Sequence, residues 1–150
     1  MKGDLRLATT EDLTAVEEIV RAAYFPYVSR IGREPGPMLE DYRKSIADRR
    51  VHVVEQDGIV SGVLVLIPER DAMLLDNVAV APSAQGLGLG RKMLEFAERA
   101  ARDAGLRSIR LYTNEAMTEN ISLYCRIGYC ETHRAEEKGL RRIYMTKQLP

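Results

Sequence analysis

The sequence predicts a single α/β (α+β) domain over residues 1–150, built on a mixed sheet of about seven strands with helices on both faces. Two observations carry this. A chain of 150 residues that is 45% hydrophobic is long and apolar enough for one core. Its periodicities run strand, helix, helix, three strands, helix, strand, helix, strand, strand. Three consecutive strands followed by strand–helix alternation do not fit a doubly wound sheet but do fit a mixed one. No internal repeat or low-complexity stretch marks a second domain.

Leu5 to Ala8 reads as a first strand. Thr9 and Asp12 have capping-box spacing, and Leu13, Val16, Ile19, Val20 and Ala23 follow at helical intervals. Pro26 should end that helix near Tyr24. Residues 26–37 hold three prolines and two glycines, which predicts a structured loop. A short helix over Met38 to Ala47 would share one face between Leu39, Tyr42 and Ile46. Val51 to Glu55 and Ile59 to Ile67 form a hairpin around Asp57-Gly58, with Gly62 marking a bulge. Ala72 to Val80 is apolar enough for a central strand. From Gly88 to Ala104, a stripe of Leu89, Met93, Phe96, Ala97, Ala100 and Ala104 predicts the clearest helix, stopped by Gly105. Ser108 to Thr113 is a strand, and Thr118 caps a short helix that ends by Gly128. Strands near Tyr129–His133 and Arg142–Leu149 close the chain.

Charge is balanced, 22 basic against 22 acidic side chains, which argues against a nucleic-acid partner. No run of eighteen apolar residues predicts a membrane span, and no apolar leader precedes the first strand. Cys125 and Cys130 are too few for a disulfide framework or a four-ligand metal site. They are expected to be reduced, semi-buried thiols of a cytoplasmic protein, with Cys125 packed in the core.

The stretch AVAPSAQGLGLGRKMLEF joins the central strand to the clearest helix. Alternate glycines at 86, 88 and 90 let backbone N–H groups close on an anion, and a helix N-terminus adds free amides. A tight crossover turn would need no ligand. The spacing G-x-G-x-G, five residues past Val80, departs from the dinucleotide fingerprint. Arg91-Lys92-Met93 lacks the hydroxyl of a phosphate-binding P-loop.

Gln85-x-x-Gly88-x-Gly90, preceded by Val78-Ala79-Val80 and Pro82, resembles the acetyl-CoA loop of the GNAT superfamily of N-acetyltransferases. Asn114, Asn120, Tyr124 and Gly128-Tyr129 resemble its second motif, and the element order is similar across the chain. The resemblance implies the acyl-CoA N-acyltransferase fold: a mostly antiparallel sheet whose central fourth and fifth strands splay. It implies acetyl-CoA as cofactor. Gln85, Gly86, Leu87, Gly88, Leu89, Gly90 and Arg91 would surround the pyrophosphate. Backbone groups of Val78, Ala79 and Val80 would align the pantetheine arm, with Asn114 and Asn120 along it. Tyr124 would sit near the thioester sulfur as the acid.

Acetyl transfer needs a neutral amine, a stabilised carbonyl oxygen and a proton for the leaving thiolate. The expected reaction is direct attack by a primary amine through a tetrahedral intermediate. Asp76, placed by alternation on the face of Val78 and Val80, is a candidate base; a structurally paired aspartate is the alternative. Tyr27, Arg30, Arg33 and Glu34, with Asp76, are the candidate acceptor-binding side chains. An arginine there would suit the carboxylate of an amino-acid-like amine. A small-molecule amine is the expected partner, and a homodimer is compatible. A protein N-terminus or lysine as acceptor, or a non-catalytic CoA-binding module, are the rival readings. No metal is expected.

Overall fold

A computed structural model describes residues 4–150. Seven strands form one sheet in the order β1-β2-β3-β4-β5-β7-β6. They are β1 (Asp4–Leu7), β2 (Val51–Gln56), β3 (Ile59–Pro68), β4 (Met73–Val80), β5 (Ser108–Asn114), β6 (Cys130–Glu137) and β7 (Leu140–Gln148). Every neighbouring pair is antiparallel except β4 and β5. Helices α1 (Leu13–Tyr24), α2 (Val28–Ile31) and α3 (Tyr42–Ala47) precede β2. Helix α4 (Leu89–Asp103) follows β4, and α5 (Thr118–Arg126) follows β5.

Two buried clusters sit on opposite faces of the sheet. Val16, Val20 and Tyr24 of α1 pack with Tyr42 and Ile46 of α3 against Val51, Val53, Val63 and Val65. Leu89, Met93, Leu94, Ala97 and Ala101 of α4 pack against Val54, Leu64, Leu66, Ile109 and Ile143. The predicted α4 stripe is therefore partly rotated. Leu94 and Ala101 are buried, whereas Ala104 is exposed, because the helix stops at Asp103. Gly105 takes φ +77° and Leu106 N–H reaches Ala101 O at 2.9 Å, a Schellman ending.

Helix α1 ends at Tyr24 as expected, and Pro26 sits in a separate 3-10 turn over Phe25–Tyr27, where its missing N–H costs little. Other expectations need correction. Leu39 lies in a 3-10 turn before α3 and is 62% exposed, because the helix starts only at Tyr42, capped by Asp41. Thr118 is the first residue of α5 rather than its cap. Cys125 and Cys130 are both exposed; α5 turns Leu123 and Tyr124 inward, which leaves Cys125 outside, and Cys130 opens the exposed strand β6.

Two bulges matter. Val54 pairs with Gly62 but Glu55 with Val60, so the extra residue is Ser61, beside Gly62. A Cβ on Gly62 would lie 3.2 Å from the Met93 side chain, so glycine lets α4 pack closely. In β4, Val65 pairs with Asn77 but Leu66 with Leu75, which leaves Asp76 as the extra residue. This bulge overturns simple alternation. Val78 and Val80 pack on the α4 side. Asp76 instead meets Glu40 and Tyr112, beside Asn77, which contacts Tyr24 and Tyr42.

Asn77 is buried and its side chain is satisfied at both ends. Tyr24 Oη donates to Asn77 Oδ1 at 2.6 Å, and Asn77 Nδ2 donates to Tyr42 Oη at 2.8 Å. Tyr42 Oη in turn donates to Pro37 O at 2.6 Å. This chain ties β4, α1, α3 and the 36–39 turn together. Tyr42→Phe removes both of the hydroxyl's bonds and leaves a buried amide short of a partner. We expect a loss of about 1–3 kcal/mol in urea unfolding. An unchanged midpoint would show that the network does not brace β4.

Candidate active site

β4 and β5 pair only at Met73–Ile109 and Leu74–Arg110. Beyond Leu74 the strands part, and the β5-facing edge of β4 has no ladder partner among the described residues. Three cavities open along this parting and share walls. One is bordered by Tyr27, Val78, Ala79, Val80, Gln85, Gly90, Asn120 and Tyr124. A middle one is bordered by Asp76, Val78, Tyr112, Asn114, Asn120, Tyr124 and Arg142. An outer one is bordered by Arg33, Glu40, Asp76, Tyr112 and Arg142.

The glycine loop stands beside the first cavity. Gly86 and Gly88 take φ +84° and +81°, a left-handed backbone that side chains disfavour. Open space lies where a Cβ would stand on Gly86, Gly88 and Gly90. Gly88 is the N-cap of α4, so the free amides of that helix emerge at the loop. Leu87 is 67% exposed at the loop tip, Leu89 is buried beneath it, and Arg91 is exposed on the first turn of the helix. Gln85 Nε2 reaches back to Val80 O at 3.4 Å, joining loop to strand. A backbone cradle beside parted strands fits an elongated cofactor with a phosphate end, such as acetyl-CoA.

Tyr124 borders both the first and the middle cavity and is 7% exposed. Its ring packs against Tyr129, with centroids 5.7 Å apart. Burial, then the nearby Tyr27, raises its hydroxyl pKa, so the phenol keeps its proton at neutral pH. Asn120 borders the same two cavities. Asn114 Oδ1 accepts from Ala116 N–H at 2.9 Å, shaping the turn into α5.

Asp76 borders the middle and outer cavities. Burial, then the charge of Glu40, pushes its carboxyl up to about 6, while the Tyr112 hydroxyl and Arg50 oppose the rise. The sequence reading did not single out Tyr24, Glu40, Tyr112 or Arg142. Tyr24 borders the first two cavities, and the others border the outer one. Only the parting of β4 from β5 brings them together, and no local spacing encodes it.

The remaining candidates are spread out. Tyr27 borders the first cavity, with Arg30 stacked 5.1 Å from its ring centroid. Arg30 is engaged by Glu119 through two bonds of 2.8 and 2.9 Å. Arg33 borders the outer cavity, and its Nη1 donates to Lys138 O at 2.8 Å across the β6–β7 turn. Glu34 is exposed and borders none of these three cavities.

Residues 13–129 match the acetyltransferase (GNAT) family. Among curated proteins, the chain is similar to a mycothiol acetyltransferase of Pseudarthrobacter chlorophenolicus, 42% identical over 52 residues. That match covers 35% of this chain and 16% of the relative, so the chain spans about a sixth of that protein's length. Among solved structures it resembles the ribosomal-protein-alanine N-acetyltransferase of Brucella melitensis. The TM-score is 0.74 at 26% identity, covering 97% of this chain and 99% of that one. The fold is shared with yncA of Salmonella typhimurium, solved with acetyl-CoA: TM-score 0.76, 24% identity, covering 100% and 95%. The match spans most of the chain, and the fold agrees throughout: this protein belongs to the acetyltransferase (GNAT) family.

Proposed function

We propose that this chain is an acetyl-CoA-dependent N-acetyltransferase acting on a primary amine of a small molecule. The observation that carries the reading is the line of cavities along the parted strands, with Tyr124 where the first meets the middle one. The Gly86–Gly90 amides and the N-terminus of α4 would hold the pyrophosphate. The released edge at Val78 to Val80 would align the pantetheine arm. Bound there, acetyl-CoA supplies a thioester as acetyl donor.

The roles divide between two side chains on either side of the middle cavity. Asp76 takes a proton from the attacking nitrogen as the new C–N bond forms. Tyr124 gives its phenolic proton to sulfur as the C–S bond breaks. Their environments set them apart, one carboxylate made more basic by burial and one phenol kept protonated by it.

A small acceptor is favoured by the cavities being separate, walled spaces along the parted strands, with Arg33 fixed to the β6–β7 turn at the rim of the outer one. The partial match to mycothiol acetyltransferases supports the same choice. A peptide N-terminus is the second reading, favoured by the likeness to the Brucella enzyme. Release of CoA thiol across a panel of small amines and short peptides tests these against each other. Turnover confined to peptides would remove the small-molecule reading. Tight CoA binding without any turnover would favour a binding module.

Tyr124→Phe should keep acetyl-CoA affinity while lowering kcat by roughly 100- to 10,000-fold. Unchanged kcat would end the acid role. Gly88→Val places a β-branched residue at φ +81° in the cradle, so acetyl-CoA binding by calorimetry should weaken. Undiminished affinity would dissociate the loop from the pyrophosphate.

Asp76 gives a paired test. As a base it acts only when ionised, so kcat should climb with pH and bend near 6. Asp76→Asn should lose the bend along with most of the rate. The stability effect has the opposite sense. A carboxyl whose pKa is raised by folding binds its proton more tightly in the native state, so it costs stability as pH rises through about 4 to 6. Asp76→Asn should therefore be relatively more stabilising at pH 7.5 than at pH 4 in urea melts. An equal difference at both pH values would contradict a buried, raised carboxyl.

A further inference from the structure

Arg142 stands on β7 at the wall shared by the middle and outer cavities. Its side chain is only 15% exposed, which is unusual for an arginine. Among the described residues its one ion pair is long, 3.5 Å from Nη1 to Oε1 of the more exposed Glu137. What fixes it is an aromatic face: the guanidinium carbon lies 4.3 Å from the Tyr112 ring centroid. The β5–β7 register explains this, pairing Asn114 with Arg142 and Tyr112 with Tyr144, so Arg142 and Tyr112 are diagonal neighbours.

Tyr112 also neighbours the other charge of the site, since its hydroxyl lies close enough to the Asp76 carboxyl to favour its ionised form. One rigid ring thus has Arg142 stacked on its face and Asp76 at its hydroxyl, both against the same two cavities. Glu40 adds a second carboxylate on the Asp76 side. The site therefore offers negative charge where an ammonium would arrive and a planar, bidentate donor one ring away. That pattern matches a molecule carrying an amine and a carboxylate close together. A phosphate dianion suits it less, because Glu40 and Asp76 would repel the second charge. A diamine would set its second cation against Arg142.

We infer that Arg142 is the carboxylate anchor of the acceptor site, and that the acceptor is a small amine bearing a carboxylate, of the α-amino-acid type. This rests on the acetyltransferase reading above and narrows its substrate class. Arg30, tied to Glu119, and Arg33, tied to Lys138, are less available for the role.

The test compares L-amino acids with their amides, with phosphoethanolamine and with putrescine, by CoA thiol release. Amino acids should exceed their amides in kcat/KM by about 10- to 100-fold, the worth of a hydrogen bond to a charged group. In Arg142→Gln that preference should vanish through KM, with kcat at saturation and acetyl-CoA affinity retained. Arg142→Lys should restore part of it. Amides, putrescine or phosphoethanolamine turning over as well as the acids would overturn the inference while leaving the transferase reading intact. So would a preference that survives Arg142→Gln.

A second measurement does not depend on turnover. N-acetyl-amino acids and N-acetyl-amino amides are titrated into the CoA-loaded protein. Binding of the acids alone, lost in Arg142→Gln, supports the anchor; equal or absent binding of the acids refutes it. If the acids bind and no amine turns over, the transferase reading fails and the carboxylate site stands.

Discussion

The release of β4 from β5 after Leu74 is the constraint on which the rest of this molecule depends. Two adjacent strands normally satisfy each other's backbone along their whole length. Here they pair at two positions and then diverge. The extra residue at Asp76 contributes, because a bulge increases local twist and turns the following strand away from its neighbour. The exposed edge and the three cavities are consequences of that divergence. Opening a sheet at its centre forfeits ladder hydrogen bonds, so the structure must hold the strand elsewhere. The Tyr24–Asn77–Tyr42–Pro37 chain does this from one face and the α4 cluster from the other.

Polar groups rather than apolar ones brace the first face, and there is a physical reason. A bulge places two successive side chains on the same side, so Asn77 and Asp76 both face the α1–α3 layer. Asn77 is buried and must be satisfied, which two tyrosine hydroxyls accomplish. Asp76 keeps access to the cavities and stays titratable. The same distortion that opens the cleft thus delivers a carboxylate into it.

Legibility in the sequence follows the same division. The glycine loop and the element order are legible because backbone cradles and helix ends leave local traces: Gly86 and Gly88 are where positive φ is required, and Gly105 ends α4. Tyr124 is singled out through the family resemblance and not by any local trace. The bulge left none. Asp76 follows the alternation rule on paper and breaks it in the fold, because the register there is set by Val65–Asn77 and Leu66–Leu75, two cross-strand pairs that no local spacing encodes. Leu39 and Ala104 failed for a related reason, since both lie at helix ends where one turn decides burial. Cys125 failed because α5 buries Leu123, Tyr124 and Ile127, leaving its next position outside. Arg142, Tyr112 and Glu40 come from β7, β5 and the segment before α3, and only tertiary structure assembles them.

The two ends of the cleft are consequently made of different material. The loop end is built from backbone amides, and amides present the same donors whatever the side chains do, so that end can keep one ligand while its surface residues vary. The Asp76–Tyr112–Arg142 end is built from side chains whose charges can be exchanged one at a time. Substituting Arg142 alters what the outer cavity attracts without disturbing Gly88 or the start of α4, because β7 and the loop lie on opposite sides of the parting. A fold that separates a backbone-built end from a side-chain-built end can change what the second attracts by changing few residues. On the reading proposed above, the acceptor is selected by Asp76 and Arg142 beside the Tyr112 ring and not by the glycine loop.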